Sequence, residues 1–191
     1  MLKKIALFTL TGALAVTGIV AANQYFTKDS SLPEVHVEAH YAYTVDMDKI
    51  GEFADLVVVG SPSQDLQDRE SVVKYFPRDP GDTTGKPQAL ESFYTLADFE
   101  VQTVYKGDTS VHPGDTIKVR EETAVINTAE GKKKLTLDKY PDDLKKGSKY
   151  VLFLKKYGDY YTLVRDAEGR EAVATDADIQ KALEKHKVKA N

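Results

Sequence analysis

The sequence predicts a mainly β chain, an all-β barrel or sandwich flanked by a few short helices. Three observations carry this expectation. Short segments that alternate or run apolar recur between residues 56 and 164, each bounded by Gly, Pro, Asn or Asp turn signals. No strand–helix–strand repeat occurs, which disfavours a doubly wound parallel sheet. The longest apolar run stands at the N-terminus, outside the alternating region.

The N-terminal run comes first. Lys3 and Lys4 precede an uncharged stretch from Ile5 to Phe26, rich in Leu, Ala, Val and Ile. A basic segment before an apolar one is the pattern of a secretory signal, with Val20-Ala21-Ala22 offering small residues for cleavage. The stretch is also long enough to span a bilayer, which takes about 20 residues, with Tyr25 and Phe26 suited to the interface. Residues 1–26 are therefore expected to form a signal peptide or a membrane anchor helix. The two lysines keep the N-terminus inside, so the rest is expected outside the cytoplasmic membrane, either anchored as a single-pass protein or secreted.

Residues 27–45 read as a linker followed by a candidate edge strand. TKDSSLP (27–33) is polar, and Val35, Val37, Ala39, Tyr41, Tyr43 and Val45 then alternate with Glu34, His36, Glu38 and His40. In DMDKIGEFA (46–54), Ile50 and Phe53 share a helical face behind possible caps at Asp46 or Asp48, which predicts a short helix. DLVVVG (55–60) follows as a strand. The polar stretch 62–92, with Pro77, Pro80, Gly81, Gly85 and Pro87, is expected to be a long surface loop in which SVVKYF (71–76) extends a strand or packs over the barrel.

Strand signals then come in quick succession. Phe99, Val101, Thr103 and Tyr105 oppose Glu100, Gln102 and Val104; Ile117 and Val119 oppose Lys118 and Arg120 after the turn His112-Pro113-Gly114-Asp115. AVINTAEGKKKLTL (124–137) reads as a hairpin around Ala129-Glu130-Gly131, and YVLFLKKYGDYYTLV (150–164) as two strands joined near Tyr157-Gly158-Asp159. A barrel domain over 46–174 is thus expected, followed by a helix and tail over 175–191, where Thr175 with Asp178 three residues on forms a capping-box start. Lysines in its last turn suit the helix dipole.

Composition narrows the chemistry. There is no cysteine, so disulfides, zinc–thiolate sites, thiol nucleophiles and lipid-modified cysteine are all excluded. The formal net charge is −4. Residues 1–22 hold two lysines and no acid, so the exported part is still more acidic, which gives no global attraction to nucleic acid or to an anionic surface.

Phosphate motifs fail on inspection. FADLVVVGSP (53–62) has Gly60 alone where a dinucleotide fingerprint needs three glycines, and Pro62, Asp65 and Asp68 follow it. Gly81-Asp-Thr-Thr-Gly85-Lys86-Pro87 is one residue short of a P-loop and puts Pro87 at the magnesium-binding hydroxyl position.

His36-Val-Glu38-Ala-His40 is the best metal candidate. On a strand its polar groups share one face, neighbours about 7 Å apart and the two histidines about 13 Å apart, so the three cannot hold one ion without a bend. The expected reading is a solvated strand face, with no metal and no cofactor. Asp79, Asp82, Asp142 and Asp143 lack the alternation of a calcium loop and read as turn residues. No Gly-x-Ser-x-Gly is present, and nothing selects a catalytic carboxylate pair among the 30 acids. Lysines at 132–134, 145–146 and 155–156 beside Tyr140, Tyr150, Phe153 and Tyr157 resemble the mixture an oligonucleotide-binding barrel uses, and equally a strand edge protected by lysines.

FADLVVVGS (53–61), FEVQTVYKGD (99–108), PGDTIKVRE (113–121), LKKGSKYVLFLKK (144–156) and YYTLVRDAEGR (160–170) together resemble uncharacterised exported proteins of Gram-positive bacteria. These carry an OB-like barrel akin to the netrin-like module of tissue inhibitors of metalloproteinases. The resemblance implies a five-stranded Greek-key OB-like barrel with a binding role and supplies no catalytic residue. The inhibitors chelate a protease zinc through an N-terminal cysteine, which this chain lacks.

A non-enzymatic binding module at the cell envelope is therefore the leading expectation. Its partner would be a protein or envelope component taken through loop 62–92, with the N-terminal segment held in the membrane if uncleaved. Two other classes stay open, an extracytoplasmic hydrolase using carboxylates and a single-stranded nucleic-acid-binding OB domain.

Overall fold

A computed structural model describes residues 32–38, 45–81, 85, 88–107, 109–138, 140 and 142–188. The chain divides into two units, Met1–Leu32 and Pro33–Asn191. The expected signal or anchor segment, the linker to residue 31 and the alternation from Ala39 to Thr44 lie outside the described residues. Among the described residues no helix is long and apolar enough to cross a membrane.

The second unit is built on a closed five-stranded barrel. Its strands are β2 (Leu56–Pro62), β4 (Leu90–Lys106), β5 (Thr116–Glu121), β8 (Tyr150–Tyr157) and β9 (Tyr160–Leu163). They pair in the order β8–β2–β4–β5–β9, and β9 returns to β8 to close the ring. Every pairing is antiparallel except β5 with β9, where Val119 faces Tyr161 and Arg120 faces Thr162. Numbered along the barrel alone, this is the Greek-key order of an OB fold.

β2 shows why its sequence runs apolar instead of alternating. Leu56 and Val58 point into the barrel, where they meet Phe99, Val101, Ile117, Val119, Leu152, Leu154 and Leu163. Val57 and Val59 point outward into a second cluster with Val151, Phe153, Ile179, Ala182 and Leu183. A strand buried on both faces loses the period-2 signature. β8 does the same, with Leu152 and Leu154 inward and Val151 and Phe153 outward.

The outer cover comes from two helices. One is α1 (Ile50–Phe53), entered through a 3-10 turn at Met47–Lys49; the other is α2 (Asp176–Lys185). The expected capping box is present, with Thr175 Oγ1 accepting from Asp178 N and Asp178 Oδ2 accepting from Thr175 N. The first helix departs from its expectation. Asp46 makes no side-chain cap, and of its two apolar residues Ile50 is fully buried while Phe53 is exposed.

Gly60 is a packing residue. A Cβ there would lie 2.1 Å from the Glu100 carbonyl oxygen and 2.7 Å from the Phe99 ring, at a point where the β2–β4 register shifts. A second register shift lies between Val57 and Val58, which pair with Lys106 and Val104 and so pass over Tyr105. It ends the alternation expected across 99–105: Val104 turns toward the barrel core, whereas Tyr105 packs with the α2 side.

Loop 62–92 contains a strand. After a 3-10 turn at Leu66–Asp68, β3 (Glu70–Tyr75) pairs antiparallel with the first half of β4, Ser71 opposite Thr95 and Val73 opposite Phe93. β4 is 17 residues long and takes β2 and then β3 along one edge. The strand expected from SVVKYF is present, begun one residue earlier at Glu70 and laddered on β4. Only residues 76–89 join the two.

A small sheet lies beside this extension. β1 (Glu34–Val37) pairs parallel to β7 (Gly131–Leu137), which forms the expected hairpin with β6 (Thr123–Thr128). Phe93, Ala124, Leu135 and Leu137 form a third apolar cluster, with Val37 and Val73 against it. β10 (Arg170–Ala172) completes the fold on β8, sharing with β9 the edge that β2 leaves free.

Candidate functional site

The residues singled out by sequence disperse. His36 Nε2 lies 3.3 Å from Glu34 Oε2 on exposed β1, Glu38 is exposed, and His40 lies outside the described residues. Among the described residues no group of three or more His, Asp or Glu stands close enough to hold a metal ion. Most of the P-loop look-alike, residues 82–84, 86 and 87, lies outside the described residues, as does Asp82. Gly60 faces protein on every side.

The lysine groups are not a uniform solvated edge. Lys134 is buried, its Nζ 3.0 Å from Glu34 Oε1 and 3.2 Å from Asp143 Oδ1, and Lys145 reaches the same Asp143 oxygen at 3.2 Å. Burial would raise the Asp143 carboxyl, but Lys145 and Lys134 outweigh it and hold it below the usual carboxylate range. Lys155 pairs with Asp55 at 2.7 Å, while Lys156 lies 5.8 Å from the centre of the Tyr161 ring.

A buried ion cluster gathers on the last residue of β5. Glu121, the last residue of β5, has no solvent exposure. Arg69 pairs with Oε2, while Arg170 Nη1 (2.9 Å) and Leu144 N (2.9 Å) donate to Oε1. Arg69 also donates to the carbonyls of Gln64 and Leu144, and Arg170 to that of Asp142. One carboxylate thus ties together β5, the turn before β3, the 142–144 segment and β10.

Full burial pushes the Glu121 carboxyl up, against the pull of the two guanidiniums. Three donors, two guanidiniums and a backbone N–H, converge on this one carboxylate. A sequence signal for it existed: Ile117, Val119 and Glu121 share one strand parity, so an acid stands where the core face continues.

The outer face of β9, β5 and β4 is different. Tyr157 at the end of β8 is 66% exposed, and its ring centre lies 5.5 Å from that of Tyr160. Tyr160 in turn stands 6.3 Å from Tyr94, whose ring carries the Arg120 guanidinium 4.3 Å from its centre. Arg120 hydrogen-bonds the Tyr160 hydroxyl and pairs with Glu122 at 2.8 Å. Burial raises the Glu122 carboxyl against that Arg120 contact. Beside them Lys118 pairs with Asp98 at 2.7 Å.

The result is a strip of three rings across the strands, with its two outward cations each matched by an acid. Strand parity placed none of these tyrosines together in the sequence reading, because they come from β4 and from both arms of the β8–β9 hairpin.

Comparison with models of known protein families and with curated proteins gives no match.

Proposed function

We propose that this chain is a non-enzymatic binding module of the cell envelope, exported or held by its N-terminal segment, that engages its partner through the outer face of the OB-like barrel. The filled barrel supports this reading. Its interior is packed with Leu56, Val58, Phe99, Val101, Ile117, Val119, Leu152 and Leu154, and the fully buried carboxylate of Glu121 is held by two arginines and a backbone N–H. A hydrolytic centre needs free converging acids in a pocket, and ligand sites are commonly concave. On the outer face of the barrel lies the strip of Tyr157, Tyr160 and Tyr94, exposed at Tyr157 and half-buried at the other two rings.

The 62–92 segment acquires a framing role in this reading. β3 runs along the far edge of β4, with Val72 in register with Tyr94, and so borders the strip. Membrane fractionation of the native host, with intact-mass measurement of the protein, tests the envelope assignment. Recovery in the cytosolic fraction with residues 1–26 intact would refute it.

A further inference from the structure

We infer that the chain pairs with a second copy of itself along the free edge of β1, the two β1 strands running antiparallel about a two-fold axis at Val35. The inference goes beyond the binding-module reading and does not depend on what the barrel face engages.

The backbone of this edge is open. β1 stands at the end of the small sheet, and among the described residues β7 alone pairs with it. Lys134 N donates to the Pro33 carbonyl at 2.9 Å and Asp138 N to the Val37 carbonyl at 2.8 Å. Backbone groups alternate along a strand, so Val35 also turns to β7, while Glu34 and His36 turn their N–H and C=O groups away. Residues 33–36 are all exposed, Val35 at 39%. The strand has no lysine or proline within it, and its register on β7 runs unbroken. An edge without those protections is a template for another strand.

The side chains select the occupant. Two copies of one strand must pair so that outward backbone groups meet, which leaves few registers. Centring on Glu34 sets two carboxylates opposite each other. Centring on His36 sets imidazole against imidazole and Glu34 against Glu38 of the second copy. Centring on Val37 needs Glu38, which lies past the end of the strand, and a valine already packed against the third apolar cluster. Centring on Val35 sets each Glu34 opposite His36 of the second copy and Val35 opposite itself.

That register satisfies both the backbone and the side chains. Glu34 and His36 of the second copy exchange both of their backbone hydrogen bonds, and the symmetry repeats the exchange on the other side of the axis. Opposite-charge pairs across strands are favourable and like charges unfavourable. Within one chain Glu34 Oε2 already lies 3.3 Å from His36 Nε2, so pairing brings acids and imidazoles together alternately on one face. On the other face the exposed Val35 gains an apolar neighbour. Four residues a side make a small contact, of the weak class.

The chain has no cysteine, so a single introduced thiol reports contact between copies. In the inferred register the two Val35 positions form a non-hydrogen-bonded pair with Cα atoms about 4.5 Å apart, inside the range a disulfide spans. The test is mild oxidation of purified full-length Val35→Cys at about 100 µM, where a pair held at millimolar effective concentration should crosslink about tenfold faster than Tyr157→Cys, an exposed position remote from β1. Val37→Cys should crosslink no faster than Tyr157→Cys. Adding His36→Pro to Val35→Cys removes an N–H that points away from β7, so crosslinking should fall to the Tyr157→Cys rate while cooperative thermal unfolding is retained.

Crosslinking of Val35→Cys no faster than Tyr157→Cys would overturn the inference. So would a fast rate left unchanged by His36→Pro, which would place the contact elsewhere than on this edge. Faster crosslinking at position 37 than at 35 would overturn the register. None of these results bears on the proposed function, which rests on the filled barrel and its outer face.

Discussion

His186 Nε2 lies 3.0 Å from Glu171 Oε1, so that the residue closing α2 is tied to β10 at the seam between helix and barrel. The histidine has no exposure, its Nδ1 stands 3.2 Å from the Met47 carbonyl, and its ring meets Phe153 edge-on at 4.5 Å between centroids. Lys185 reaches the same Glu171 oxygen. Two segments that leave the barrel at opposite ends of the sequence, the turn before α1 and the end of α2, therefore meet on one imidazole.

This seam makes stability depend on pH in a definite direction. Burial would raise Glu171, but the hydrogen bonds from Lys185 and His186 prevail and hold its carboxyl below the usual range. A carboxyl depressed in the folded state stabilises fully above its unfolded value, near 4.3, and loses that contribution as the pH falls through the folded value. Glu171→Gln should cost about 1 kcal/mol at neutral pH, the partly exposed pair being screened, and the gap to the parent should close below about pH 4. Urea unfolding at the two pH values measures it, and a gap independent of pH would remove Glu171 from the account.

Glu121 should be the most sensitive acid in the barrel. Glu121→Ala leaves Arg69 and Arg170 buried with no counter-charge, which should cost about 3–5 kcal/mol. Glu121→Leu with Arg69→Met should cost clearly less than the sum of Glu121→Leu alone and Arg69→Met alone. Denaturant unfolding of the four proteins checks the coupling, and additive losses would show that the pair does not act as a unit.

Gly60→Ala should destabilise by about 1–3 kcal/mol, because the new methyl falls on the Glu100 carbonyl and the Phe99 ring. Nucleotide addition should not shift the melting temperature of the parent. A ligand-induced shift lost in Gly60→Ala would restore a phosphate role to this turn.

The β3–β4 connection and the strand before it should respond in opposite ways. Deleting residues 64–90 removes β3 and Arg69, exposes one edge of β4 and orphans one side of Glu121, so the product should fail to unfold cooperatively. Replacing residues 77–88 with a short Gly-containing turn should leave the thermal midpoint within a few degrees, since surface connections tolerate length changes.

The barrel was legible because its strands carry local signatures: parity in β5, turn residues before and after β9, and a continuous apolar run wherever a strand is covered on both faces, as in Leu56–Val59. SVVKYF carried a strand signal for β3 inside a stretch whose prolines and glycines spell a loop. Glu70–Tyr75 has only Val72 and Val73 as apolar aliphatics, and its strand character comes from pairing with β4. The tyrosine strip lay deeper still. Its members come from three strands, and only the parallel closure of β5 with β9 brings Tyr160 beside Arg120. Pairing across distant strands leaves no trace in a local pattern.

The same architecture governs how the chain reaches its native state. Val57 pairs with Phe153 and β5 with β9, so the ring closes only when strands distant in sequence meet. Until β8 arrives, β2 lacks one ladder partner and its outward Val57 and Val59 lack Phe153. Such non-local closure slows folding into the millisecond-to-second range typical of barrels. The ring therefore stays open until β8 and β9 have joined β2 and β5.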